Sequence, residues 1–281
     1  MILKAGIFGL AACSVVVAQT DTTLGWKNQA NGLANLSQVY FDNWAKGGTD
    51  AISWEVRLEG GTVLHAAGFD WESKARAVYG QTKLAGLGSR KSADEALIQT
   101  LYTHKVDFFS LNPFASARFQ TQFTPGYKYD DAASTRLRVS GAFDPSYLEQ
   151  TLGVSRNFKD IVKTRLGGTL KETFSATRYG YADDAETASE IESFKLEPGA
   201  SLNVDFRMGL MENILLTSVL DLFANFKGWD AIDGRFENLV TAKVNKFISV
   251  NLGFDVLYDL DVSVDRQIKE SLAIGISFLS L

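Results

Sequence analysis

Cysteine is almost missing: Cys13 is the only one in 281 residues. A disulfide framework is therefore excluded, and so is a cysteine-based metal site or nucleophile beyond that single position. Histidine is nearly as scarce, with His65 and His104 alone. Two isolated histidines do not make a zinc site, and no nucleophile elbow accompanies them to build a serine–histidine centre. Proline occurs only 4 times, which removes the commonest obstacle to long strands. No internal apolar run reaches the roughly 18 residues of a transmembrane helix. The formal net charge of -5 comes without a basic patch, which excludes nucleic acid as a partner. No cofactor motif is present.

Glycine and aromatics are abundant. The chain has 24 Gly, 19 Phe, 9 Tyr and 5 Trp, a composition suited to strands joined by open turns. The N-terminus carries Lys4, an apolar stretch from Ala5 to Val17, and Val16 and Ala18 at the -3 and -1 positions of a cleavage site before Gln19. This predicts a signal peptide over 1–18 and export. Leu10-Ala11-Ala12-Cys13 offers a second reading, a lipobox with an acylated Cys13.

Beyond residue 30, hydrophobicity alternates with period two. Ile248, Val250, Leu252, Phe254 and Val256 alternate with Ser249, Asn251, Gly253 and Asp255. The same pattern runs through Ile52–Glu59, Trp71–Tyr79, Phe194–Arg207, Arg235–Asn245 and Ser271–Phe278. Successive strand side chains point to opposite faces, so each strand has one apolar and one polar face. The expected strands are 33–41, 50–63, 69–84, 98–110, 114–127, 146–157, 162–175, 193–207, 212–227, 235–246, 248–259 and 269–280. Many exceed the nine to eleven residues that cross a bilayer. Their connections are expected to alternate long (42–49, 85–97, 128–145, 176–192, 228–234, 260–268) and short (64–68, 111–113, 158–161, 208–211, 247). Short periplasmic turns and longer outer loops mark a transmembrane barrel. Pro198 is the one local violation, and it predicts a bulge at Pro198-Gly199.

The expected architecture is thus all-β. It is a closed antiparallel transmembrane β-barrel of about 12 strands over 33–281, preceded by a signal peptide and a periplasmic lead-in over 19–32. A soluble sandwich would alternate in the same way. The membrane reading is favoured by Tyr40, Phe41, Trp54, Trp71, Tyr79, Phe123, Tyr127, Phe226 and Tyr258, which sit towards strand ends as an aromatic girdle would. The polar faces carry opposite charges that a closed lumen could pair. The lumen candidates are Glu55, Arg57, Glu59, Glu72, Lys74, Arg76, Lys105, Asp107, Arg118, Lys163, Arg165, Lys195, Glu197, Asp205 and Arg207. Lys171 continues the theme. The acidic loop Asp183-Asp184-Ala185-Glu186, with Glu190 and Glu192, lacks an EF-hand spacing and reads as a solvated loop.

Phe41-Asp42-Asn43-Trp44-Ala45-Lys46-Gly47-Gly48-Thr49 follows Leu36-Ser37-Gln38 and precedes Ile52-Ser53-Trp54. Further along stand Pro145-Ser146-Tyr147, Asp221-Leu222-Phe223, Val244-Asn245-Lys246-Phe247 and Gln267-Ile268-Lys269-Glu270-Ser271-Leu272. Together these resemble an uncharacterised (domain of unknown function) family of bacterial outer-membrane β-barrel proteins with an Asn-Trp-Ala-x-Gly-Gly signature. The resemblance implies an outer-membrane barrel and no agreed activity. Asn43, Trp44, Gly47 and Gly48 form its signature loop, read as an interfacial turn or as a constriction. One departure is the end of the chain, Phe278-Leu279-Ser280-Leu281, where such barrels commonly finish on an aromatic residue.

The expected role is passive and non-enzymatic, in the outer membrane of a Gram-negative cell. The first form is a narrow pore or a solute-binding barrel with a charged lumen. The second is a structural or interaction barrel with a salt-bridged, closed lumen and partner-binding outer loops. A lipid enzyme is the third form, without a catalytic constellation to support it. The expected partners are outer-membrane lipid, the barrel-insertion machinery and a small solute.

Overall fold

The computed structural model describes residues 24–40, 49–106, 109–159, 161–183, 187, 190–227, 232–245, 247–259 and 263–280. The signal peptide, Cys13, Phe41, the signature-loop residues Asn43, Trp44, Gly47 and Gly48, and Asp107, Asp184 and Glu186 lie outside the described residues.

The strands are β1 (Gly25–Val39), β2 (Ala51–His65), β3 (Phe69–Leu84), β4 (Ser89–His104), β5 (Asn112–Thr121), β6 (Gly126–Asp130), β7 (Thr135–Ser140), β8 (Ser146–Phe158), β9 (Val162–Phe174), β10 (Phe194–Met211), β11 (Ile214–Asn225), β12 (Ile232–Lys243), β13 (Ile248–Asp259) and β14 (Ser263–Ser280). Twelve of them close into one antiparallel barrel in the order β1-β14-β13-β12-β11-β10-β9-β8-β5-β4-β3-β2. Strands β6 and β7 form a separate two-stranded hairpin inserted between β5 and β8. Closure removes the unpaired edges that an open sheet would expose. The seam is the pairing of β1 with β14, from Asn31↔Ser280 to Asn35↔Gly275, with one register shift.

Several boundaries differ from expectation. Strand β1 begins at Gly25, so the stretch 25–32 belongs to the barrel and not to a lead-in. Its polar residues hid it, because Lys27, Gln29 and Asn31 stand on the lumen face and leave few apolar partners to alternate with. The loop expected over 85–97 is a turn at 85–88, and β4 already starts at Ser89. A register shift between Gly80 and Gln81, which pairs Gly80 with Ala93 but Gln81 with Lys91, breaks the alternation there. The loop expected over 128–145 contains most of the β6–β7 hairpin, so Tyr127 sits on that hairpin and not in a girdle. Of the expected long connections, those at 42–49, 128–145 and 176–192 are long, spanning 40–50, 122–145 and 175–193, whereas the one expected over 260–268 is short, because β13 ends at Asp259 and β14 starts at Ser263. Those at the other end, such as 66–68, 159–161 and 212–213, are short.

The bulge expected at Pro198 does not form. The β9 register runs unbroken through Glu197↔Lys171, Pro198↔Leu170 and Gly199↔Thr169. On its other side, β10 pairs with β11 only from Gly199 onward, and the Pro198 carbonyl accepts from Phe226 N at 3.0 Å. The carbonyl and nitrogen of one strand residue point to the same neighbour. The missing N–H of Pro198 therefore faces the end of the β11 ladder, where no partner requires it.

Alternation resolves into an exterior and a lumen. Ile52, Trp54, Val56 and Leu58 on β2, Ile98 on β4, Leu152 on β8, Leu166 on β9, Leu252 on β13 and Leu272 on β14 are all exposed, Leu152 at 71% and Leu272 at 70%. The few buried apolar side chains include Val78, Leu97, Leu101 and Phe114, all on the lumen face of β3 to β5. Across β8 to β10 the wall is closed by small hydroxyls. Thr151 and Thr169 share a hydrogen bond of 2.8 Å, and Thr169 and Ser201 one of 2.6 Å. Beside them Gly153 pairs with Gly167. A Cβ on Gly153 would lie 2.1 Å from the Leu166 carbonyl oxygen, so this close approach of β8 and β9 tolerates no side chain.

Candidate functional site

The lumen is the candidate site, and its side chains follow from strand parity. On β2, Glu55, Arg57 and Glu59 are successive inward residues. Arg57 reaches Glu55 at 3.4 Å and Glu59 at 3.9 Å. On β3, Arg76 donates from Nε to Glu95 of β4 at 2.6 Å. On β9 and β10, Arg165 pairs with Asp205 at 2.7 Å, and Lys195 with Glu197 at 3.3 Å. Lys163 stands opposite Asp205 and Asn157 in the β9 register. Glu72 and Lys74 are inward on β3, below Arg76.

Other ion pairs do not run between neighbours. Glu95 on β4 lies 3.9 Å from Arg235 on β12. In the twelve-strand order β4 and β12 are half a circuit apart. Arg118 on β5 spans the lumen to Asp221 on β11 at 3.8 Å, and it also meets Glu149 on β8 at 3.7 Å. Lys171 on β9 reaches Asp233 on β12 at 2.7 Å. Arg235 is held in turn by Glu237 through Nε at 2.6 Å. Gln120 donates from Nε2 to Glu95 at 3.5 Å, and its Oε1 accepts from Arg118 at 2.7 Å. Apart from the Lys171–Asp233 pair, these contacts form one connected layer of charge across the lumen.

Below this layer, towards the short turns, the lumen holds a cavity of about 340 Å³. Its lining includes five cations (Lys74, Arg76, Arg118, Arg165 and Arg235) and five acids (Glu59, Glu149, Asp205, Asp221 and Glu237). The site is therefore charge-balanced. Among the described residues no group of histidine, cysteine or carboxylate ligands is arranged to hold a metal ion.

Two sequence candidates sit elsewhere. Lys105 lies just past β4, where Nζ meets Asp70 at 2.7 Å and the Ala66 carbonyl at 3.0 Å. It ties a short turn and is not part of the lumen layer. Asp70 also meets His65 Nδ1 at 2.8 Å, which occupies that histidine at the barrel rim. Arg207 stands near the short-turn end of β10, with its N–H donating to the Ile161 carbonyl at 2.8 Å. Sequence reasoning missed Glu95, Asp221, Asp233, Arg235 and Glu237 as site residues. Glu95 falls within the loop expected over 85–97. Asp221 is a single acid in the apolar run Ile214–Ala224. Arg235 and Glu237 did show in the alternation of β12, a signal that could have found them.

At the long-loop end, the β6–β7 hairpin carries stacked arginines. Arg90 lies over the Tyr129 ring at 4.3 Å, and Arg136 over the Tyr127 ring at 4.6 Å. Arg90 also donates through both terminal nitrogens to Asp131, from Nη1 at 3.1 Å, which holds the exposed Asp131 carboxyl below its ordinary range. Arg138 and Arg178 flank Tyr179 at 5.9 and 4.8 Å.

Residues 36–127 match the family described as "Protein of unknown function (DUF3078)". No curated protein matches the chain. Among solved structures, an outer membrane channel from Pseudomonas putida F1 aligns with a TM-score of 0.42 and 10% identity, over 93% of this chain and 96% of that one. The translocator domain of the autotransporter NalP from Neisseria meningitidis aligns with a TM-score of 0.41 and 7% identity, over 92% and 90%. The β domain of the Bordetella autotransporter BrkA aligns with a TM-score of 0.36 and 12% identity, over 90% and 98%.

Proposed function

We propose that this chain is a non-catalytic outer-membrane barrel of a Gram-negative cell, exported by an N-terminal signal. In this reading its lumen is a solute-binding vestibule, closed to free flow by ion pairs. The membrane placement is supported by the exposed apolar face on strand after strand, which would be unfavourable in water and suits lipid. Both described ends of the barrel, Gly25 and Ser280, stand at the short-turn end, which the rhythm of such barrels puts in the periplasm.

The observation that carries the closed lumen is the contact of Glu95 with Arg235 across the barrel. A twelve-stranded wall leaves room for a water channel. Here that room is crossed by guanidinium and carboxylate groups whose side chains are only about one-fifth exposed, Arg235 at 21% and Glu95 at 19%. Each such group loses hydration and stays inside only because its partner replaces the lost water. The arginine–tyrosine stacking of the β6–β7 hairpin supports a second role, docking of a partner at the outer face, since stacked arginines are common anchors at protein interfaces.

Planar-bilayer recording tests the closed lumen. Folded wild-type protein is expected to be silent. The Glu95→Ala, Arg235→Ala double variant removes the cross-lumen contact and is expected to open discrete conductance steps. Steady wild-type conductance, unchanged in the double variant, would refute the closed lumen.

A further inference from the structure

One cation of the vestibule differs from the rest. Arg76, Arg118, Arg165 and Arg235 each have a carboxylate partner. Lys74, among the described residues lining the cavity, is the cation with none within ion-pairing distance. It is exposed to the lumen.

Along β3 its inward neighbours are Glu72 and Arg76, while its cross-strand neighbours are uncharged. Cross-strand pairing sets Gln29 opposite Gly61, Gly61 opposite Lys74, and Lys74 opposite Gln99. All belong to one row across the lumen wall. Gly61 leaves a gap in that row, and a Cβ there would lie 3.1 Å from Gln29 Nε2. The Gln29 amide therefore folds over the gap towards β3. One register step from Gln29, the buried Oδ1 of Asn31 accepts no hydrogen bond.

We infer that Lys74, Gln29 and Gln99 form a subsite for a small organic monoacid. It rests on the reading of the lumen as a solute vestibule. The ammonium of Lys74 and the amide N–H groups of Gln29 and Gln99 take the carboxylate. A monoanion suits the site better than a phosphate, because Glu59 and Glu149 line the same cavity and repel a second charge. The volume of about 340 Å³ admits a single monosaccharide-sized molecule.

Isothermal titration of D-glucuronate into detergent-folded protein tests this, with D-glucose as the neutral control. Wild-type protein is expected to bind glucuronate and to bind glucose at least tenfold more weakly. Lys74→Gln is expected to weaken glucuronate binding about 10- to 100-fold, the worth of one charge-assisted hydrogen bond. Lys74→Arg is expected to restore part of it. Folding of each variant is checked by its heat-modifiable mobility in gels. The inference is overturned if folded wild-type protein binds no glucuronate, if glucose binds equally well, or if Lys74→Gln binds like wild type. Conductance bears on the closed lumen alone, and Lys74-dependent binding bears on this subsite alone, so either can fail without the other.

Discussion

Substituting Arg for Leu252 puts the membrane placement to a quantitative test. Leu252 is 53% exposed on the barrel exterior, and its cross-strand partners Val240 and Leu272 are also apolar. Strand β13 starts at Ile248. With a rise of about 3.4 Å per residue and a tilt of about 40°, each residue climbs roughly 2.6 Å. Leu252 then stands about 10 Å above the short-turn edge of an apolar belt about 25 Å tall, within a few ångströms of its middle. A lipid-facing arginine at that depth costs about 2–4 kcal/mol. Val256, four residues further on, stands about 21 Å up by the same arithmetic. There the cost falls to about 0–1 kcal/mol. Asn251 faces the lumen, where it accepts from Thr241 at 3.0 Å and donates to Ser249 at 3.2 Å. Asn251→Arg loses those bonds, worth about 1 kcal/mol each, and meets no lipid. Reversible denaturant unfolding from phospholipid vesicles, followed by tryptophan fluorescence, gives all three differences on one scale. The expected order is Leu252→Arg worst and Val256→Arg mildest. If Leu252→Arg cost no more than Val256→Arg, the exterior would not face a bilayer core at that height, and the membrane reading would fail.

Two further outcomes are expected besides the conductance and binding results. Cysteines placed at Ala34 and Ile276, which are cross-strand partners at the seam, should cross-link on mild oxidation. Failure to cross-link in folded protein would count against that register and against closure by β1 and β14. Acid should also loosen the outer hairpin. The hydrogen bond from Arg90 holds the Asp131 carboxyl below its ordinary value. Its contribution is therefore present above the usual aspartate range near pH 3.9 and is lost as pH falls through the lowered value. A spin label at Ala132→Cys should gain mobility only below that range, and Asp131→Asn should show the high mobility already at neutral pH. A label whose mobility ignores both changes would rule out the Arg90–Asp131 tie as the anchor.

Much of the fold was legible because strand parity is a local property. Ile248 to Val256 alternates so regularly that its lumen and exterior faces could be assigned residue by residue, and the structure keeps β13 at Ile248–Asp259. Legibility failed where alternation was interrupted for a physical reason. At Gly80 and Gln81 a register shift breaks the period, and the first part of β4, as far as Leu97, reads as a loop. In β1 the inward residues Lys27, Gln29 and Asn31 serve the lumen, so the segment read as a polar lead-in. At Pro198 the residue type was legible, but its consequence depended on which neighbour its nitrogen faces.

The sequence by itself determined an all-β chain with long alternating strands, and it placed Glu55, Arg57, Lys74, Arg76, Arg118, Arg165 and Asp205 on polar faces. Alternation is set by the two-residue period of the backbone, so it can be read without knowing what lies opposite. Only the tertiary structure decided that Glu95 meets Arg235, that Arg118 meets Asp221, and that Lys74 meets no acid. The two ion pairs join strands 6 and 4 places apart in the closed order. They depend on barrel closure and on the stagger between strands, and neither is written in any local run of residues.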